Sequence, residues 1–260
     1  MISLEELKGK AKIKGLSLGN AEKDYLIDLV LLSISKNTKD ELVFKGGTCL
    51  YKFYNLGRFS EDADFTAIKP VNVDKLAEDI ISDLKQFNVN CKLHRKKEPF
   101  NSVLLTIRCE GPLFRGTPMT YSNVRIDINF KSSINIEPLL RNFSSTYQEI
   151  PPFSLLIMQE NEIAAEKIRA IMTRNKVRDL YDLWSIIVKG TEVDKIIVSK
   201  KLEYYNTHFD YDEFSKILDK KKALWEKDLK LLIRNLPDFN EVKSFILKEA
   251  KKWKFQKKRQ

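Results

Sequence analysis

Residues Lys45 to Phe65, KGGTCLYKFYNLGRFSEDADF, restrict the possible folds more than any other stretch of the chain. A Gly-Gly pair separates a β-prone run from a short helical pattern, and two aspartates one residue apart open the next β-prone run. Glycines lack the Cβ that would keep an anion away from the backbone, and a helix starting there turns its free N–H groups toward that anion. Asp62 and Asp64 are spaced i, i+2, so on a strand their side chains share one face. Two hard oxygen ligands are what Mg²⁺ takes from a protein when phosphates supply the rest. Alone, a Gly-Gly pair is an ordinary turn and an Asp-x-Asp an ordinary loop. The information lies in their order: strand, Gly-Gly, helix, Asp-x-Asp.

At 260 residues the chain is long enough for one large domain or two small ones. Its 43% hydrophobic and 32% charged residues describe a globular protein, and no run of about 18 apolar residues is present to span a bilayer. The opening MISLEELKGK is amphipathic and mixed in charge, unlike a secretory signal, which points to the cytoplasm. Cys49, Cys91 and Cys109 have no Cys-x-x-Cys spacing, and the histidines are only His94 and His208. That composition argues against a disulfide framework, a zinc site and a His-dependent triad. The net charge is +10, and Glu241–Gln260 alone holds eight Lys/Arg against two Glu. Such a balance suits a polyanionic partner, because neutralised phosphates release counterions; a solvated basic tail would look the same.

Along the chain, residues 3–14 and Ser17–Lys36 read as helices, the second apolar on most sides from Tyr25 to Ile34, with Asn20 as its expected cap. Glu41–Lys45 and Asp62–Ile68 read as strands around a helix over Thr48–Tyr54. Val73–Phe87 places Leu76, Ile80 and Leu84 on one helical stripe, and β-prone runs follow at Asn90–Lys96, Ser102–Cys109 and Asn123–Phe130. In the last run Val124, Ile126 and Ile128 face one way and Arg125, Asp127 and Asn129 the other, which puts a lone carboxylate on a polar face. Pro151-Pro152 marks a boundary after which helices are expected: Ile157–Asn175, Arg178–Lys189, then 192–205, 210–233 and 238–254. Tyr204, Tyr205, Phe209, Tyr211 and Trp225 alternate with lysines near the end, a pattern that suits either base stacking or a helical core.

The Gly-Gly and Asp-x-Asp pair resembles the signature of nucleotidyltransferases with a DNA polymerase β-like core. The fuller KGGTxL…GRxSxDxDF is similar to the AbiEii/AbiGii-type toxin branch, which includes the MenT-like enzymes. Two further elements carry the same resemblance: Glu22, Lys23 and Tyr25 in the long early helix, and AEKIRA…RDLYDL over residues 165–183. It covers roughly Ser17 to Lys189. It implies an α+β fold, a mixed sheet with helices over residues 1–150 followed by a helical domain over 151–260 that closes the cleft. It also implies a toxin of a type IV-like toxin–antitoxin, abortive-infection system.

On that resemblance Asp62, Asp64 and Asp127 bind Mg²⁺, and Asp127 also activates the attacking hydroxyl. Gly46, Gly47 and Thr48 hold the phosphates of an NTP, Ser60 is placed to bond one of their oxygens, and Arg58 and Lys167, with Lys45 as a further candidate, offset the leaving pyrophosphate. Lys167 and an acid, Asp182 in preference to Asp179, face the nucleotide from the helical half. The ordinary reading of these residues is a surface ion-pair network, since Arg178 and Asp182 are i, i+4. The implied acceptor is RNA, the 3′ end of tRNA, and the implied partner an antitoxin protein. An antibiotic or other small-molecule nucleotidyltransferase is one alternative. A non-catalytic RNA- or antitoxin-binding protein on the same fold is the other.

Overall fold

In the computed structural model, which describes residues 1–253, the chain divides into two compact units. One comprises Met1–Phe53 and Phe59–Met158; the other comprises Tyr54–Arg58 and the chain from Gln159 onward. The basic residues within 254–260 lie outside the described part.

The first unit is built on a mixed sheet of β1 (Leu42–Lys45), β2 (Asp62–Ala67), β3 (Cys91–Lys97), β4 (Ser102–Cys109), β5 (Ser122–Asn129), β6 (Leu139–Phe143) and β7 (Phe153–Ile157). The strand order is β3-β4-β5-β2-β1-β7-β6. Strands β2 and β5 run parallel, as do β1 and β7, and the remaining neighbours are antiparallel. Four helices accompany it: α1 (Leu4–Lys14), α2 (Leu18–Asn37), α3 (Gly46–Phe53) and α4 (Val73–Gln86). Alternation decides which face is covered. Val124, Ile126 and Ile128 of β5, with Leu105 and Ile107 of β4, are buried on the side where α2 and α4 pack. Phe44 and Phe65, paired in the β1–β2 register with ring centroids 5.0 Å apart, extend that core, each worth roughly 2–3 kcal/mol on burial.

The second unit contains α5 (Glu160–Thr173), α6 (Val177–Val188), α7 (Lys195–Glu203), α8 (Tyr211–Leu229) and α9 (Phe239–Ala250). Trp225 is buried among them and donates its indole N–H to the Pro237 carbonyl at 3.0 Å, so it is a core residue. Tyr204 and Tyr205 remain exposed, the latter beneath the Arg169 guanidinium.

Several local expectations are corrected. Ser17 caps α2 in place of Asn20, its hydroxyl accepting the Asn20 backbone N–H at 3.2 Å. Helix α3 starts at Gly46 itself, without an intervening turn. The change to helices comes at Glu160 and not at Pro151-Pro152, because Phe153–Ile157 forms β7 beside β1. Strands β6 and β7 have no counterpart in the sequence reading.

Candidate active site

The first unit gathers the motif residues by register. Asp64 lies directly beside Asp127 across the parallel β2–β5 pair, and Asp62 lies beside Arg125. Directly paired residues point to the same face, so Asp62, Asp64 and Asp127 share the side away from the buried valine and isoleucines. Lys45, on β1, continues the Asp64–Asp127 row on its other side. Gly46 has φ of +76°, and a Cβ there would stand 2.4 Å from Asp64 Oδ2. The backbone at the start of α3 is therefore pressed against the carboxylate, which only glycine permits. Thr48 is fully buried and donates its hydroxyl to the Asp62 carbonyl, fastening α3 to the beginning of β2. Gly47 is buried beside it, and Ser60 is half-buried just ahead of β2.

Asp127 is unusual among these acids. Its Oδ1 is buried with no hydrogen-bond partner. Burial is the main force raising its proton affinity, opposed by a hydrogen bond from Ser102 and the charge of Lys45 and reinforced by Asp62. A buried, orphaned carboxylate oxygen costs stability unless something else meets it, and a hard cation or an incoming hydroxyl is the chemistry that would. Among the described residues no group of three or more His, Cys, Asp or Glu is drawn close enough to form a finished metal cage. Two neighbouring carboxylates, with a third one pleat away, nevertheless suit an ion whose other ligands come from a substrate. A cavity of about 380 Å³ lies at the Asp62 end, lined by Glu22, Lys23, Glu61, Asn123 and Arg125 among others. Lys23 pairs with Glu61, and Arg125 stands 3.7 Å from Asp62.

The second unit gathers the other motif residues. Arg58 is buried and grips Asp182 with two bonds, Nε to Oδ1 at 2.6 Å and Nη2 to Oδ2 at 2.7 Å. Lys167 reaches Asp182 at 2.7 Å and Asp179 at 3.0 Å. Arg174 closes the chain with a bidentate contact to Asp179 at 2.7 and 2.8 Å, and Lys221 donates to the Arg174 carbonyl. Burial by itself would raise both aspartates. The charges of Arg58 and Lys167 on Asp182, and of Lys167 and Arg174 on Asp179, outweigh it and hold both below the usual carboxylate range. Desolvation would lower Lys167, but Asp182 and Asp179 raise it, so it stays charged. The surface-network reading is thus overturned: Asp179 and Asp182 are buried, and Asp182 turns to Arg58 and Lys167 instead of to Arg178.

Three charged groups escaped the sequence reading. Lys52 is buried in α3 against Asp24 and Asp28 of α2, the latter at 2.5 Å, and Ser145 bonds Asp28 at 2.6 Å. The signal was available: Asp24 and Asp28 are one helical turn apart, the first just before the apolar run Tyr25–Ile34 and the second inside it. Arg174 follows the α5 motif closely, and Lys201 pairs with Glu162 and Glu166 of that same helix.

A mixed sheet that opens with a glycine-started helix and presents paired aspartates, accompanied by a helical unit, defines a nucleotidyltransferase-type protein. The family described as nucleotidyl transferase AbiEii toxin, type IV toxin–antitoxin system, matches residues 30–259. The chain belongs to that family and is a nucleotidyltransferase toxin, a class that uses an NTP with a divalent metal and has an antitoxin partner. Among solved structures it is similar to JHP933 from Helicobacter pylori, with 21% identity, a TM-score of 0.59 and coverage of 92% of this chain and 93% of that one. It is likewise similar to the nucleotidyltransferase toxin MenT4 from Mycobacterium tuberculosis, with 18% identity, a TM-score of 0.60 and coverage of 89% and 82%. At these identities the likeness establishes the fold. No curated protein matches the chain. Among the described residues, no helix is long and apolar enough to cross a membrane.

Proposed function

We propose that the chain transfers a nucleoside monophosphate from an NTP to RNA, the 3′ acceptor end of tRNA, in a Mg²⁺-dependent reaction that blocks translation and growth. The observation that carries this is the row Asp64–Asp127, with a buried carboxylate oxygen of Asp127 left without a partner. Asp62, Asp64 and Asp127 would hold the Mg²⁺, which when bound neutralises the triphosphate and polarises the reacting groups.

The acceptor hydroxyl attacks the α-phosphorus, a P–O bond to the acceptor forms, and the bond to the departing pyrophosphate breaks. Asp127 receives the hydroxyl proton, its buried Oδ1, which has no hydrogen-bond partner, being the atom open to it. Gly46, Gly47 and Thr48 present backbone N–H groups to the phosphates, with Ser60 as a further donor. Within the helical unit Arg58 and Asp179 keep Asp182 and Lys167, the pair that the family resemblance assigns to the nucleotide, in their charged states. An RNA acceptor suits the net charge of +10. A cationic antibiotic acceptor would call for an acidic pocket, whereas the cavity beside Asp62 mixes Lys23 and Arg125 with its acids.

The test is incubation with Mg²⁺, total tRNA and each α-labelled NTP in turn, beside Asp62→Ala. Label should reach tRNA from one NTP and vanish in the variant. No label from any NTP, with tRNA still bound, would replace transfer with the non-catalytic binding reading.

A further inference from the structure

The face that carries the aspartates does not end with them. Following the register outward, the Asp64–Asp127 row continues through Leu104 of β4 to Lys97 of β3. The Asp62–Arg125 row continues through Thr106 to Arg95, and a third row runs Asn123–Arg108–Lys92. Lys92, Arg95 and Lys97 are exposed, and the Arg125 side chain is 69% exposed. The two faces of β3 differ in how their charge is met. Lys96, on the opposite face, pairs with Asp74 of α4 and with Glu98. Among the described residues no acid pairs with Lys92, Arg95 or Lys97.

Lysines on an edge strand can serve merely to keep other strands away. That role would not call for Arg108 and Arg125, which stand on inner strands of the same face. Arg108 is moreover held in place: its guanidinium lies 5.4 Å from the Tyr121 ring centroid and bonds His94 Nε2 at 2.7 Å. Tyr121 in turn leans on Phe114, with centroids 4.7 Å apart. The proton affinity of His94 is lowered by slight desolvation and then by the charges of Arg108, Lys92 and Arg95, which marks the patch as strongly cationic.

We propose that this face is a docking track for single-stranded RNA, on which Lys92, Arg95, Lys97, Arg108 and Arg125 bind consecutive phosphates and deliver a 3′ terminus to the aspartate row. The proposal rests on RNA being the acceptor. From β2 to β3 the track crosses three strand spacings, roughly 14 Å, the length of about four stacked nucleotides at roughly 3.4 Å each. The cations narrow from Lys92, Arg95 and Lys97 on β3 to Arg108 on β4 and Arg125 on β5, so the approach to the aspartates is one phosphate backbone wide rather than the two of a duplex. The arginine–tyrosine stack offers a planar surface for a base along the way.

The experiment compares the full chain with the Lys92→Gln, Arg95→Gln, Lys97→Gln, Arg108→Gln variant, which leaves Arg125 and the aspartates intact. Binding of 5′-labelled tRNA is followed by fluorescence anisotropy from about 50 to 200 mM salt, with a copy of the tRNA lacking its single-stranded 3′ end and a blunt RNA duplex alongside. Thermal unfolding and direct NTP binding establish that the variant is folded. The variant should bind intact tRNA at least tenfold more weakly, with a log–log salt slope shallower by roughly 3 for four lost contacts. For the truncated tRNA and the duplex, wild type and variant should differ little.

Equal affinity and slope for both proteins, with wild type still labelling tRNA, would overturn the track and leave the transfer reading standing. Preferential loss of duplex binding would overturn the single-strand assignment. RNA binding lost in the variant, when wild type labels no RNA, would uphold the track and remove the transfer reading. Wild type binding no RNA overturns both.

Discussion

Asp64 occupies the space that a side chain on Gly46 would need: a Cβ there would sit 2.4 Å from Asp64 Oδ2. The same glycine holds φ at +76°, a conformation that costs an L residue about 1–2 kcal/mol. Gly46→Ala should therefore lower the melting temperature only modestly. It should reduce nucleotide transfer by about 100-fold or more, because displacing a carboxylate by an ångström is enough to do so. Unfolding curves and labelled-NTP incorporation measured on one preparation separate the two effects. Activity and stability falling in proportion would make Gly46 a folding residue only.

Asp127 yields a prediction of opposite sign for stability. Its buried Oδ1 has no partner, so ionised Asp127 contributes little to the folded state and carries a desolvation cost. Asp127→Asn keeps the shape and removes the charge. The melting temperature should stay level or rise, while transfer falls by about 10²–10⁴-fold, the range typical of losing a group that handles a proton. A clear drop in melting temperature would reassign Asp127 to structure.

What the sequence made legible, and what it concealed, follows from the range of the interactions involved. Gly46, Gly47, Asp62 and Asp64 lie in one short stretch whose geometry is local, and the alternation around Asp127 fixes its face without knowledge of its neighbours. That Asp127 would pair with Asp64 depends on a parallel β2–β5 register set by the whole sheet. Strands β6 and β7 were hidden because neither LLRNF nor FSLLI alternates apolar with polar residues, and a Pro-Pro pair precedes the second. The burial of Arg58, Asp179 and Asp182 was hidden for a different reason. A charge at helical spacing reads as solvated unless its partner is known, and Arg58 lies 124 residues from Asp182.

Arg58 and Lys167 are expected to hold the helical unit together. Arg58 satisfies both oxygens of a carboxylate with no exposure to solvent. Arg58→Ala leaves that buried charge with Lys167 alone, and breaking a buried pair costs about 3–5 kcal/mol. Lys167→Met should be milder, since Asp182 keeps Arg58 and Asp179 keeps Arg174. Chemical denaturation of the two variants gives the order. If Arg58→Ala were as stable as wild type, the pair would contribute nothing to the fold.

The same network sets the acid limit of stability. Burial raises the proton affinity of Asp179 and Asp182, and the neighbouring Lys167, Arg174 and Arg58 more than reverse that, so both titrate below an unfolded value of about 3.9. In the window between folded and unfolded values the unfolded chain binds more protons, and stability rises with pH. The contribution is complete above about pH 5 and is lost as the pH falls through the folded values. Asp28 works in the other direction: burial and then Asp24 raise it against Lys52, so its share is greatest at low pH and disappears as the pH rises. Removing one depressed acid should therefore flatten the acid limb. Asp179→Asn should melt lower than wild type at pH 7, where Arg174 and Lys167 lose their partner. The gap should hold down to about pH 4 and begin to narrow between about pH 4 and 3, because the strongly depressed carboxylate is still ionised there in the folded state. Calorimetric scans from pH 7 to 3 decide it. Curves that stay parallel across the range would mean that Asp179 keeps its proton equilibrium unchanged on folding, and the ion pairs around it would then contribute nothing to acid sensitivity.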